Sequence, residues 1–504
     1  MIMWSRLLRL NRRKSFSVSS SFSPFSTTVT RGKKDEGKKD NKGGVDGFEE
    51  REFMEPNTEY QPDRGFMKRM EDMHERDIAF PYFTDVLIIG GGAIGAAAAH
   101  FLMERHEKIN VTVIEKDPTY KRSSTALSVG GIRTQFSTAE SIQMSQFGYE
   151  FLRKMKMDLR VGDDEPPDPG FNPNGYVFTA TEDQAEQLVE NVALQQRFGA
   201  RVELLSPGNL QERFPWLNTE GIAIASYGLE GEGWFDPWAL LMALKRKAIS
   251  RGVRFIDAEV CGVIWKGFQG AHVGEIHDHM EKVEFIKVRM NDTGEVRKIQ
   301  AGYYVIAAGA ASGKVGELLG IGTSSSSPML RHRLPVEPRK RYVYTIHCPD
   351  GPGLNCPMFV DTNGVYFRRE GLGGLYLCGA SPPPEMPEPP TTDYEVDYEF
   401  FNEYVWPKLA HRVPAFESVK MRSAWAGMYD YNTFDENGIV GVHPHLWNVI
   451  IATGFSGHGI QHAAAVGRAV SELCTKMAYQ TINLDRFSFE RIIINKPLLE
   501  SNIV

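Results

Sequence analysis

The sequence predicts an α/β fold in which a helix-covered parallel sheet, assembled from separated segments, is interleaved with an antiparallel sheet. Three observations predict it. Early in the chain, DVLII is a short, wholly apolar run suited to a strand buried on both faces. GGGAIG follows it, then the helical run AAAAHFLMERHE and a second apolar strand, VTVIE. Late in the chain, NVIIATGFSGHGIQHAAAVGRAVSEL repeats the order of strand, glycine turn and helix. Between them, from Leu334 to Gly379, the strand-like pieces RYVYTI, GVYFRR and GLYLCGA follow one another without helices, which predicts an antiparallel sheet.

The N-terminus reads differently from the rest. Residues 1–34 hold eight Lys or Arg and no Asp or Glu, so the remainder of a chain of net charge −7 carries −15. At helical spacing Arg6, Arg9 and Arg13 share one face, while Trp4, Leu7 and Leu8 supply an apolar one. A cationic amphipathic helix without acids is the chemistry of an organellar presequence, and no apolar stretch of secretory length follows the charges. A disordered basic tail is the alternative, and the serine content leaves a plastid address open. Residues 35–79 are charged and poor in aliphatics, hence a solvated linker, with order expected from Phe80.

Beyond VTVIE, the loop Lys116–Phe136 leads into a helix, where Ser137 and Glu140 have capping-box spacing and Phe147, Phe151 and Met155 share a face. WALLMALKRKAISRG reads as a helix and VRFIDAEVCGV as a strand. EKVEFIKVRMNDTGEVRKIQA alternates about Asn291–Gly294 as a hairpin does, and YYVIAAG is again a buried strand. The acidic body argues against nucleic acid as a partner. The longest apolar run, Val86–Ala99, is broken by four glycines and is too short for a bilayer, leaving only peripheral attachment open. Cys261, Cys348, Cys356, Cys378 and Cys474 form no CxxC pair, which fits reduced thiols rather than disulfides or a metal site.

Two glycine turns carry the chemistry. Gly90, Gly92 and Gly95, enclosing Ala93 and Ile94, make G-x-G-x-x-G between a strand and a helix. The first glycine allows the tight turn, the second lets a pyrophosphate approach the backbone, and the third lets helix and strand pack closely. Glu115, twenty residues beyond Gly95, ends the next strand. An acceptor there suits a ribose 2′-hydroxyl and repels a 2′-phosphate, so NADP is disfavoured. The fingerprint alone does not separate NAD from FAD. In the second turn Gly454, Phe455, Ser456, Gly457, His458 and Gly459 precede a long helix. Its N-terminus would stabilise an anionic ligand by about 0.3–2 kcal/mol; an ordinary strand-to-helix turn is the alternative. Arg133, after two glycines, could clamp a substrate carboxylate with two hydrogen bonds or serve as a structural arginine. His458 could be a base or a packed histidine.

Taken in order, DVLIIGGGAIG, VTVIEK, STALSVGGIR, GWFDPWALL, VIAAGA and IIATGFSGHG resemble the D-amino-acid-oxidase superfamily, nearest its sarcosine and dimethylglycine branch, over about residues 82–490. The resemblance implies an FAD-binding Rossmann-like domain of the glutathione-reductase type (80–165, 233–325 and 422–490), interleaved with an antiparallel-sheet substrate domain (166–232 and 326–421) and followed by a tail, 491–504. It places Gly90, Gly92, Gly95, Glu115 and Lys116 at the adenosine and pyrophosphate, and Ser123, Ser124, Gly130 and Gly131 along the FAD. Val260 falls near adenine, Ala308 and Gly309 behind it, and Gly457–Gly459 at the flavin ring. Arg133 stands where that branch carries a substrate-carboxylate arginine, and turnover would move hydride from a substrate C–H to flavin N5.

The departures are informative. Positions where relatives attach FAD covalently, through histidine or cysteine, are Leu127 and Gly427 here, which implies non-covalent FAD. Lysines that sarcosine oxidases keep near the flavin align with Tyr376 and Gln461, which weakens the case for a fast oxidase and for an amino-acid substrate. The basic segment, the linker and SVGGIRTQFS resemble a mitochondrial branch of the superfamily. That resemblance implies a matrix protein, peripheral to the inner membrane at most. It also implies a role in assembly or stability of respiratory complex I, with complex I subunits or assembly intermediates as partners. The alternative is a dehydrogenase or oxidase of an amino acid or N-methylamino acid.

Overall fold

The computed structural model describes residues 80–106, 108–267, 281–324 and 327–501. The expected presequence 1–34 and linker 35–79 lie outside the described residues.

Strand β1 (Phe83–Ile89), helix α1 (Ala93–Arg105) and strand β2 (Val111–Glu115) form around the first glycine turn. Helix α1 is buried without a break from Gly95 to Met103, which accounts for its alanines: they let it fit between the sheet and other helices. A short β3 (Gly131–Ile132) precedes α2 (Ala139–Asp158). Next come β4 (Tyr176–Ala180), α3 (Ala185–Arg197), β5 (Val202–Leu205), β6 (Ile224–Gly228) and β7 (Gly233–Trp234). Helix α4 (Pro237–Ser250) starts where Asp236 caps Trp238 and Ala239, with Pro237 in the first turn. Strands β8 (Arg254–Gly267), β9 (Glu281–Met290) and β10 (Val296–Ile306) form a meander, and the expected hairpin turn Asn291–Gly294 joins the last two. The remaining strands are β11 (Val336–His347), β12 (Met358–Val360), β13 (Tyr366–Glu370), β14 (Leu375–Gly379), β15 (Lys420–Asn432), β16 (Ile439–Val442) and β17 (Val449–Thr453). Helix α5 (Gly459–Lys476) follows.

Two sheets result. In the first, β8, β2, β1, β10 and β17 run parallel in that order, and β16 adds an antiparallel edge. β8 and β10 outrun it and pair with β9 beyond. The apolar cores on its two faces contain Val86, Ile88, Val113 and Val305 on one side and Leu87, Ile89, Ile114 and Ile306 on the other, as strands buried on both faces require. The second sheet has the order β15-β11-β14-β13-β12-β4-β6-β5. The expected antiparallel pairing of residues 334–379 is present, but β12 also runs parallel to β4. β15 lies along the whole of β11, so it crosses residue 422, where the FAD domain is expected to resume. Cys348, Cys356 and Cys378 are buried thiols in the core of this sheet. Among the described residues no helix is long and apolar enough to cross a membrane.

The expected capping box at α2 is absent. Thr138 is the N-cap and makes no side-chain cap. Ser137 instead donates through both N and Oγ to Glu500 Oε1 at 2.6 Å, and Glu140 pairs with Arg486. A carboxylate arriving from far along the chain satisfies two donors at once with charge-assisted bonds, which the local spacing could not reveal. Phe151 and Met155 are buried with Phe147 packed against them, as the helical face predicts.

Gly467 lets α5 lie directly on α1, because a Cβ there would stand 2.5 Å from Ala97 C and Cβ. Gly467→Ala is expected to destabilise the protein by about 1–3 kcal/mol through overpacking. Thermal unfolding measures this; an unchanged midpoint would mean that the two helices do not depend on the approach.

Candidate functional site

The first glycine turn is built by backbone contact. Gly90 has φ +103°, and a Cβ on it would lie 2.3 Å from the Ala307 carbonyl oxygen. A Cβ on Gly95 would lie 1.9 Å from the Gly90 carbonyl oxygen. Gly92 is the N-cap of α1 without a side-chain cap, and Ala93 N donates to Thr125 Oγ1 at 3.2 Å. Glu115 accepts from Gly91 N at 2.7 Å and from Asp117 N at 2.8 Å, so it stands at the mouth of the turn, as its spacing predicts. Burial raises its pKa, opposed by those two N–H donors. Lys116 points away and pairs with Glu259. Val260 is buried on β8, and Ala308 and Gly309 follow β10 at the head of the same sheet.

The second turn faces the same end of the sheet. Asp430, buried on β15, accepts from Gly454 N at 2.7 Å and Phe455 N at 3.1 Å. Ser456 Oγ accepts from Asn432 N, and Ser456 itself has φ +47°. Gly457 has φ +97°, and an added Cβ would meet no atom within 4 Å. Helix α5 starts at Gly459 with His458 as an N-cap that makes no side-chain cap. Ser123 Oγ accepts from Ala126 N, while Ser124 Oγ donates to the Met428 carbonyl at 2.7 Å and ties this loop to β15. Gly130 (φ +74°) touches Phe235, and Gly131 pairs with Trp234. An open Gly457, a Gly309 whose added Cβ would meet only Ser124 Oγ at 3.8 Å, uncapped helix starts at α1 and α5, and an acceptor at the end of β2 fit the two phosphates, the ribose and the ring of FAD. A Cβ on Gly427 would lie 3.3 Å from Leu127 Cβ, so the two positions where relatives attach flavin are neighbours, and neither carries a nucleophile.

Arg133 and His458, two separate candidates in the sequence, meet here. Arg133 is 1% exposed, with its guanidinium carbon 4.1 Å from the Phe136 ring centroid and 4.8 Å from that of Phe178. Its Nη2 lies 3.1 Å from His458 Nε2, and its Nη1 donates to the Gln135 carbonyl. A guanidinium only donates, so His458 Nε2 accepts. Burial first, then the Arg133 charge, hold His458 well below the usual imidazole range, so it is neutral and orients the arginine. Gln461, at the position of an expected lysine, accepts from Arg133 N at 2.9 Å. Tyr376, the other such position, is buried in the second-sheet core against Phe416 and bonded to the Pro352 carbonyl, outside this site.

Sequence reasoning missed Asp430, Glu232, Gln195 and Glu500. Each is a buried polar group that reaches, from a distant element, the second turn or the segment that follows Arg133, and none belongs to a local motif; Gln195 Nε2, for instance, donates to the Phe136 carbonyl at 3.0 Å.

The chain matches the sequence profile of the DAO family, FAD dependent oxidoreductases, over residues 85–473. It is 50% identical over 432 residues to FAD-dependent oxidoreductase domain-containing protein 1 of Xenopus laevis, covering 84% of this chain and 85% of that one. Identity to the Bos taurus protein of that name is 50% over 428 residues, covering 84% and 88%. Among solved structures it is similar to L-proline dehydrogenase from P. horikoshii, with a TM-score of 0.67 and 25% identity, covering 83% of this chain and all of that one.

His462 beside this site, His100 in α1 and His443 are buried, and burial pushes each down to about 3 from 6.5. The unfolded chain therefore takes up protons first. The stability these groups contribute is complete above pH 6.5 and is lost as pH falls towards 3. At pH 5 each has lost about 2 kcal/mol. Urea midpoints at pH 7.5 and 5.0 check this; equal midpoints would show that the three imidazoles are not held neutral.

Proposed function

Because the chain belongs to the DAO family of FAD-dependent oxidoreductases, with FAD as its cofactor, we propose that it is a mitochondrial flavoprotein. In this reading it holds FAD non-covalently and serves the assembly and stability of respiratory complex I. The observation that carries the flavoprotein part is the convergence of the Gly90–Gly95 and Gly454–Gly459 turns at one end of the parallel sheet. The assembly role is supported by the resemblance of the basic segment, the linker and SVGGIRTQFS to the mitochondrial branch. Cells depleted of the protein should lose NADH:ubiquinone oxidoreductase activity and accumulate its subassemblies; normal complex I would sink the assembly role.

Leu127 and Gly427 support non-covalent attachment. The purified protein should show a flavin spectrum, and acid precipitation should release the chromophore into the supernatant as FAD. Flavin retained in the pellet would overturn this.

A second reading is oxidation of a small carboxylate-bearing amine, favoured by the position of Arg133 and by the name of the similar L-proline dehydrogenase. When bound, FAD supplies the two-electron acceptor. Arg133 holds the substrate carboxylate, neutral His458 keeps the guanidinium turned, and Phe136 and Phe178 exclude water. Screening amino acids and N-methylamino acids anaerobically for flavin bleaching should find a substrate. Arg133→Met should then raise KM on the order of 100-fold, about 3 kcal/mol, without releasing FAD. An unchanged KM would remove Arg133 from the site.

A further inference from the structure

In the carboxylate-binding reading His458 holds one end of the Arg133 guanidinium, and the backbone carbonyl of Gln135 holds the other. Arg133 is long and flexible, and its guanidinium is useful only if the backbone that carries it is fixed. Its Nη1 donates to the Gln135 carbonyl, so the course of the backbone from Thr134 through Gln135 sets the direction of the guanidinium.

Glu232 holds Thr134 by its backbone N–H and its hydroxyl, and Gln135 by its side-chain amide. Its side chain is almost completely buried, as are Thr134 and Gln135. Oε1 accepts from Thr134 N at 2.8 Å and from Thr134 Oγ1 at 2.5 Å, and Oε2 accepts from Gln135 Nε2 at 2.8 Å. Gln135 is clamped further, donating to the Tyr176 carbonyl at 2.8 Å and accepting from Ser226 Oγ at 2.5 Å. The sequence clears a place for this carboxylate. A Cβ on Gly228 would lie 2.0 Å from Glu232 Oε2, and a Cβ on Gly233 (φ +146°) would lie 1.9 Å from the Asn172 carbonyl oxygen. The run GLEGEGW is therefore a socket: its glycines let β6 and β7 close around one buried acid. Desolvation of that acid is expensive, and its three donors offset it. Burial raises the Glu232 pKa, opposed by its bonds to Thr134 and Gln135.

We propose that Glu232 is a positioning residue, resting on the reading of Arg133 as a carboxylate ligand. It fixes the Thr134–Gln135 backbone, and through the Gln135 carbonyl it aims the Arg133 guanidinium. Position, rather than the charge of Glu232, is what Arg133 requires. Two substitutions separate these properties. Glu232→Asp keeps the charge but withdraws the oxygens by about 1.5 Å, one methylene. Glu232→Gln removes the charge and leaves an oxygen for both Thr134 donors; its amide nitrogen takes the place of the acceptor of Gln135 Nε2, which keeps the Tyr176 carbonyl as its acceptor.

The test uses the FAD-loaded protein and two probes that cannot be oxidised like an amine, pyrrole-2-carboxylate and the neutral pyrrole-2-carboxamide, titrated by the shift in flavin absorbance. Glu232→Asp should weaken the carboxylate by about tenfold or more while leaving the carboxamide unchanged, as expected when one charged hydrogen-bonded contact is misplaced. Glu232→Gln should stay within about threefold for both probes. If the Asp variant does not fold, Thr134→Val, which removes only a hydroxyl donor, should weaken the carboxylate in the same sense. Wild-type binding of the carboxylate by the Asp variant would overturn the proposal, as would the reverse pattern, with only the Gln variant affected. Arg133→Met binding the carboxylate normally would instead sink the underlying reading, whatever Glu232 does.

Discussion

At the head of the parallel sheet, backbone meets backbone with no side chain between. The Gly90 turn lies against the Ala307 carbonyl, and the Gly90 carbonyl lies against Gly95 at the start of α1. Because β1 is hydrogen-bonded to both β2 and β10, this contact brings the ends of three strands together. The α1 N-terminus, Glu115 and Ala308–Gly309 then face one space. β17 joins the same sheet on β10 and delivers the second glycine turn and α5 to that space. Without the glycines the strands would still be apolar and α1 still rich in alanine, but the turn could not close and a diphosphate could not approach the backbone.

A second constraint acts on the segment that follows β3, where a charged and strongly polar run is taken out of water. From Arg133 to Thr138, each residue is held by a group from elsewhere: Gln461 from α5, Glu232 from the β6–β7 turn, Gln195 from α3 and Glu500 from the end of the chain. Buried polar groups are tolerated only when satisfied, so these distant side chains make it possible to keep an arginine inside. The rings of Phe136 and Phe178 complete the enclosure and lower the dielectric around the guanidinium, which strengthens any ion pair it forms. The neutral state of His458 belongs to the same arrangement, since a protonated imidazole 3.1 Å from Arg133 would place two cations together.

The local signals were legible. The apolar runs of β1, β2, β10 and β17, the two glycine turns and the strand-rich stretch after Leu334 all carry their meaning within a few residues. The same locality misleads at α2, where Ser137 and Glu140 have the spacing of a cap but find stronger partners in Glu500 and Arg486. Gln461 shows the limit from the other direction. An alignment reads it as the loss of a lysine, whereas the fold uses it to hold the backbone of Arg133.

The sequence by itself determined the fold class, the glycine turn with its acidic partner, the absence of a nucleophile at Leu127 and Gly427, and Arg133 and His458 as separate candidates. Each depends on residue type and short-range spacing, which backbone sterics and burial periodicity convert directly into structure. Only the tertiary structure decided that Arg133 and His458 touch, that Leu127 and Gly427 are neighbours, that Asp430 anchors the second turn, and that Glu232 and Glu500 hold the segment from Thr134 to Thr138. Those facts join residues up to several hundred positions apart. The hydrogen-bonded contacts among them follow from the need of buried donors for acceptors, which is met by whichever side chain the folded chain brings within reach.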